Sequence, residues 1–137
     1  MSRRKNPEQQ IQIAVFQHIK VRGIAGAKFW HTPNGGSRNI REAAKLKQMG
    51  VLPGVSDVLA FHNGKLYAME IKAPGGRATK EQLDFIGDLD RQGAFTAIPE
   101  GLDAALATLE AWGLIRPAIK NMGEVLHRTM ARTLHGA

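Results

Sequence analysis

This sequence predicts an α/β fold with a mixed β-sheet, its elements running α-β-α-β-β-α-β-α with a further helix at the C-terminus. Three observations carry that prediction. Segments with apolar residues at helical spacing alternate with short runs rich in β-branched and aromatic residues. Asn63-Gly64 separates two such runs, 57–62 and 65–72, and Asn-Gly there is a strong two-residue hairpin signal because both turn residues need positive φ. The second run is followed by a helical segment and another strand, 95–98, the β-α-β order of a parallel crossover.

Asn6-Pro7-Glu8 opens the first helix, with Asn as N-cap, Pro at the first helical position and an acid in the first turn. Ile11, Val15 and Ile19 follow at helical spacing, and Gly23 is the expected stop. Residues 27–32 read as a short strand ended by Pro33-Asn34-Gly35-Gly36. A second helix over 38–49, closed by Gly50, sets Arg38, Arg41 and Lys45 on one face and Ile40, Ala43 and Ala44 roughly opposite. Leu52-Pro53-Gly54 is a loop into the hairpin. Past the hairpin, Thr79-Lys80-Glu81-Gln82 opens a third helix with Leu83, Ile86 and Leu89 as its core stripe and Gly93 as its end. A fourth helix covers 102–112 and stops at Gly113. Residues 1–113 form the domain and 114–137 an appendage, whose Val125, Leu126, Met130 and Leu134 mark a helix over 121–135. Trp30 and Trp112 read as core residues in preference to base-stacking platforms.

Composition narrows the class of function. The 137 residues suffice for one domain with a sizeable core, and 43% hydrophobic with 23% charged residues is an ordinary globular balance. Without cysteine there is no disulfide framework and no thiolate metal site, as suits a reducing cytoplasm. No apolar run approaches the ~18 residues of a membrane span, and no signal-peptide core follows the basic N-terminus. The net charge is +7 and lopsided: residues 1–72 carry 12 Lys/Arg against Glu8, Glu42, Asp57 and Glu70, whereas 73–137 are nearly balanced. A basic half points to a polyanionic partner, nucleic acid first, with a merely solvated basic face as the plain alternative.

The hairpin brings charges together. With a two-residue loop at Asn63-Gly64, His62 faces Lys65, Phe61 faces Leu66 and Asp57 faces Glu70. Opposed residues project to one side of the sheet with Cβ atoms about 4.5–5.5 Å apart. Lys72, two residues beyond Glu70, lands on the same side. Opposed like charges destabilise a sheet, so the pair needs compensation. Lys72 can provide it as an ion-pair partner, which would make the cluster structural. A divalent cation can also provide it, since Mg²⁺ binds through one or two carboxylates and keeps waters for a phosphate substrate. The apolar strand and the adjoining basic half favour chemistry.

Glu8, then Gly54-Val55-Ser56-Asp57, then Glu70-Ile71-Lys72, then Gln82 stand in an order and spacing that resembles the VRR-NUC nucleases, a branch of the PD-(D/E)xK superfamily with a restriction-endonuclease-like core. The resemblance spans residues 8–99 and leaves the chain after 113 outside it. It implies that Asp57 and Glu70 hold Mg²⁺ or Mn²⁺ with the Ile71 carbonyl as a further ligand, that Lys72 assists the attacking water, and that Glu8 and Gln82 complete the site, Glu8 as an additional candidate ligand. The chain is most similar in kind to the stand-alone bacterial and phage members, which resemble Holliday-junction resolvases. That similarity implies a homodimer selective for branched DNA such as flaps or four-way junctions, in the cytoplasm of a bacterial or phage-infected cell.

The outer residues also have plainer readings. Glu8 could merely complement a helix dipole, although it shares the inward stripe of Ile11, Val15 and Ile19. Gln82 completes a Thr79-x-x-Gln capping box, which accounts for it alone; a helix start beside the Glu-x-Lys strand would also present its amide to the metal or phosphate. His31 lies where it could approach DNA, and His62 reads as solvated. Arg38, Arg41 and Lys45, with Arg77 and Lys80, are the candidate phosphate contacts, supplying affinity and salt dependence without sequence specificity. The sequence thus predicts a Mg²⁺- or Mn²⁺-dependent DNA endonuclease; the alternative is a non-catalytic DNA-binding or assembly module on the same scaffold.

Overall fold

A computed structural model describes residues 6–33 and 39–118. Its elements are α1 (Pro7–Arg22), β1 (Lys28–Trp30), α2 (Ile40–Gln48), β2 (Val58–His62), β3 (Lys65–Met69), α3 (Lys80–Arg91), β4 (Phe95–Ala97) and α4 (Gly101–Ala111). This is the order the sequence predicts. Arg38 and the helix expected over 121–135 lie outside the described residues.

The helix starts follow from their caps. The Asn6 Oδ1 accepts from the Glu8 and Gln9 amides at 3.1 and 3.3 Å, and Asn39 Oδ1 accepts from the Glu42 amide at 2.7 Å. Each satisfies donors that a helix start leaves without an internal partner.

The sheet runs β1-β2-β3-β4, with β1/β2 and β2/β3 antiparallel and β3/β4 parallel. His62 opposes Lys65 and Val58 opposes Met69, the register expected from the turn. Asn63 and Gly64 take φ of 50° and 74°, so both turn residues occupy the left-handed region that Asn-Gly tolerates.

Alternation along the strands separates two cores. On one face, Val58, Ala60, Tyr67, Met69 and Ile71 meet Val15 and Ile19 of α1 and Ala105 and Leu109 of α4. Full burial of each Val, Leu or Ile here contributes about 1.5–3 kcal/mol. Trp112 packs against this core, as expected, with its ring 5.3 Å from Tyr67. Leu114 and Ile115 are also buried there, so the core continues past Gly113. The buried Arg22 guanidinium ties α1 to α4, binding the Glu110 carboxylate and donating from Nε to the Arg116 carbonyl at 2.9 Å. On the other face, α3 places Ile86, with Phe85 and Leu89, over Leu59 and Ala68.

Two expectations about packing, those for Leu83 and Trp30, need correction. Leu83 is half-exposed: the side of α3 turned to the protein carries Gln82, Phe85, Ile86 and Leu89, because the capping box directs Gln82 inward. On α2 nothing is buried, and Ile40 is 88% exposed; the apolar side formed by Ile40, Ala43 and Ala44 meets solvent because no described element covers it. Trp30 belongs to neither core and is 37% exposed. Its register partner Leu59 lies on the α3 face, and α3 packs over β3 and β4 at the far side of the sheet from β1.

Candidate active site

Strand β3 is shorter than expected, ending at Met69, but the chain stays extended beside β4. The Glu70 amide donates to the Ala97 carbonyl and the Lys72 amide to the Pro99 carbonyl, each at 3.0 Å. Backbone amides alternate sides along an extended chain, so the Ile71 amide faces β2 instead. There it donates to Asp57 Oδ2 at 2.8 Å. The Asp57 carboxylate thus takes over from the backbone ladder, which is why β2 begins at Val58 and not at Asp57. Ile71 drops into the α1/α4 core while Glu70 and Lys72 turn to the α3 face.

Lys72 is the hub. Its Nζ donates to Gln82 Oε1 at 2.8 Å and lies 3.6 Å from Glu70 Oε1 and 3.7 Å from Glu8 Oε2. Only 4% of it is exposed. Gln82 closes the expected capping box and also reaches Lys72, since the oxygen that receives Lys72 accepts from the Thr79 amide at 2.9 Å. Glu8 reaches the cluster from the first turn of α1, and its Oε1 borders Gly76. Glu8, Asp57, Glu70, Lys72 and Gln82, from four separate stretches of the chain, therefore meet around Lys72 and the Ile71 amide.

Glu70 sits under electrostatic stress. It is 2% exposed, and burial, then the neighbouring Asp57 charge and hydrogen bond, push its pKa up to about 8 against the opposing pull of Lys72. Its Oε2 is buried with no hydrogen-bond partner. A cation replacing that proton would relieve the strain between the two carboxyl groups.

The donor set fits Mg²⁺ or Mn²⁺. The partnerless Glu70 oxygen and the adjacent Asp57 carboxylate supply hard oxygen ligands, and Mg²⁺ uses one or two carboxylates with waters completing its shell. Among the described residues no group of three or more His, Cys, Asp or Glu side chains could hold a metal ion. A cation here would lean on two carboxylates, water and a main-chain oxygen, for which Ile71 is the candidate.

The strained carboxyl makes a prediction for the metal-free protein. A pKa of about 8 in the folded state against 4.5 for the ordinary group means that the folded protein binds the extra proton between those values. Glu70's contribution to stability is then fully present below pH 4.5 and is lost as pH rises through about 8. With one proton involved, the loss proceeds at up to about 1.4 kcal/mol per pH unit. Denaturation curves in EDTA should show this slope in the wild type minus the Glu70→Gln variant; coincident pH dependences would count against the assignment.

Gly54 sets the loop that delivers Asp57. Its φ is +78°, and a Cβ there would lie 2.3 Å from the Glu81 carbonyl carbon and oxygen and 2.7 Å from the Gln82 nitrogen. Only glycine allows the loop to lie directly on the first turn of α3, which couples Asp57 to Gln82. Gly54→Ala should cost about 1–3 kcal/mol from the left-handed backbone alone, plus displacement of α3. Thermal unfolding measures it, and an unchanged midpoint would refute the close approach.

Beside this contact opens a cleft of about 290 Å³ lined by His31, Gly54, Asp57, Thr79 and Gln82. His31 is bound more closely than the sequence implied: its Nδ1 donates to the Asp57 main-chain carbonyl at 2.7 Å. The carbonyl acceptor places the proton on Nδ1.

The candidate phosphate contacts are less concentrated. Arg41, Lys45, Arg77 and Lys80 are exposed, and Lys80 lies 3.9 Å from Asp84 in a solvent-facing pair. None of them enters the ion pairs and hydrogen bonds of the Lys72 cluster.

No protein-family model matches the chain, and no curated protein sequence does. The fold itself has a solved counterpart. A structure described as a VRR_NUC domain protein superposes with a TM-score of 0.64, covering 80% of this chain and 89% of that one at 24% identity. The chain has the VRR-NUC fold, a mixed sheet between helices, as its motifs imply.

Proposed function

We propose that the protein is a divalent-metal-dependent nuclease that hydrolyses DNA phosphodiester bonds. The observation that carries this reading is Glu70: a buried carboxyl with a partnerless oxygen, set against Asp57 and next to the Lys72 amine. A structural ion pair would leave no acceptor unsatisfied and would not set two carboxylates together.

Asp57 and Glu70 would hold Mg²⁺ or Mn²⁺, with the Ile71 carbonyl as the candidate for a further ligand. Held there, a cation would supply charge stabilisation at the phosphate and a lowered pKa for a water molecule. Lys72 would orient the attacking water, and its position is set by Gln82 at 2.8 Å and by Glu8 and Glu70 at 3.7 and 3.6 Å. Arg41, Lys45, Arg77 and Lys80, with Arg38 outside the described residues, bind the DNA backbone. Branched DNA is the preferred substrate and a homodimer the working unit, as the resemblance to stand-alone VRR-NUC proteins implies.

Cleavage of end-labelled linear, flapped, splayed and four-way DNA with Mg²⁺ or Mn²⁺, and with EDTA as control, tests the reading. Metal-dependent cutting, faster on branched substrates, is the expected result. DNA binding without cutting under any of these conditions would establish the alternative, a non-catalytic module on this scaffold.

A further inference from the structure

The face of the sheet that carries the Asp57–Glu70–Lys72 cluster is only partly covered by the described residues. Leu59 lies two residues along β2 from Asp57, hence on the same face, and its register partner on β1 is Trp30. The next pair on that face is Lys28 with Phe61. Helix α3 covers β3 and β4, leaving Trp30 37% and Phe61 49% exposed.

Among the described residues, the aromatic contacts join Tyr67 to Phe95 and Tyr67 to Trp112, and the ring beneath a lysine is that of Phe95. Neither Trp30 nor Phe61 takes part. As diagonal neighbours across an antiparallel pair they lie about 7–8 Å apart, within reach of one bound group. A lysine beside two unpartnered aromatic rings, on a sheet face continuous with the phosphodiester site, combines the two elements of single-strand recognition: a flat ring for a base and a cation for its phosphate. A duplex keeps its bases stacked inside and offers these rings nothing.

We propose that Trp30 and Phe61, with Lys28, form a stacking platform for an unpaired nucleobase next to the scissile phosphate. The proposal rests on the nuclease reading and deepens it: the substrate carries a single-stranded segment at the site, as at a flap or the mouth of a fork. The rings face the base and Lys28 its backbone phosphate, while Asp57 and Glu70 lie farther along the same face.

Intrinsic fluorescence provides a test independent of cleavage. In the full chain carrying Trp112→Phe, Trp30 is the only tryptophan. Titration with a single-stranded oligothymidylate, in EDTA, should quench it, whereas a blunt duplex of equal length should not. Trp30→Ala should weaken binding of single-stranded and flapped DNA by between about fivefold and about 150-fold, the range for loss of one base–aromatic stack. Blunt-duplex binding should not change, and Trp30→Phe should restore most of the loss. Equal weakening on both kinds of DNA, or no change on either, overturns the platform while leaving cleavage, and so the nuclease reading, intact. Loss of a dimer in sedimentation of Trp30→Ala, with single-strand affinity unchanged, also overturns it by assigning the face to a second copy. Absence of all DNA binding and cutting by the wild type sinks the nuclease reading itself, and the platform with it.

Discussion

Glu70→Gln and Asp57→Asn should each reduce DNA cleavage by about 10³-fold or more, because each would remove one of the two charges proposed to hold the cation where transition-state charge develops. The choice of variant matters. Asp57→Ala would also strip the acceptor from the Ile71 amide, bonded at 2.8 Å, and leaving a buried donor unmade costs about 1–3 kcal/mol. Asparagine keeps an oxygen for that amide. Glutamine at 70 removes a carboxyl whose ionised form is opposed by burial and by Asp57, so the metal-free fold should gain stability at high pH as activity disappears. That opposition of effects separates a catalytic role from a structural one. Kinetic assays with Mg²⁺ beside thermal unfolding in EDTA read both. Loss of activity that merely tracks unfolding, or cleavage within tenfold of wild type, would contradict the account.

The second large effect lies at Lys72. Replacing it with methionine removes the group that Gln82, Glu8 and Glu70 surround, and cleavage should fall by about 10²–10⁴-fold, the range for loss of a group that handles a proton. Removing one partner of a buried ion pair ordinarily costs about 3–5 kcal/mol. Here the cost should be smaller at neutral pH, because Glu70 is already protonated there and losing the lysine raises its pKa further. Lys72→Met should therefore be folded and inactive near pH 7, and should lose stability only at more alkaline pH. Lys72→Arg keeps the charge but not the compact ammonium, and a planar guanidinium does not fit the same set of acceptors; it should remain impaired. Rates close to wild type for Lys72→Met would remove Lys72 from the mechanism.

Much of the site was legible in the sequence because it depends on strand geometry. The Asn63-Gly64 turn sets the register, the register brings Asp57 to Glu70, and a period of two adds Lys72. The order of helices and strands followed from similarly local signals. What remained hidden depends on tertiary placement. The Asp57 contact is a side chain on the Ile71 amide and not a ladder pair, which no periodicity reveals. Leu83 matched a helical stripe, yet the side of α3 that turns inward is set by Gln82 reaching Lys72. Trp30 has the composition of a core residue and is exposed only because α3 lies over the other half of the sheet. The α2 helix carries apolar residues on one side with no described neighbour to receive them. Local pattern shows what a segment can bury, but the packing of other elements decides whether it does.

The central claim is that Asp57 and Glu70 form a divalent-cation site. Calorimetric titration of Mn²⁺ into the metal-free protein at pH 7, repeated in two buffers of different ionisation enthalpy, tests it without reference to DNA. The account predicts binding that releases about one proton per cation, because Glu70 must ionise to coordinate, and predicts that Asp57→Asn and Glu70→Gln abolish both the binding and the proton release. Mn²⁺ binding of unchanged affinity in both variants, or no binding to the wild type at millimolar concentration, would contradict it.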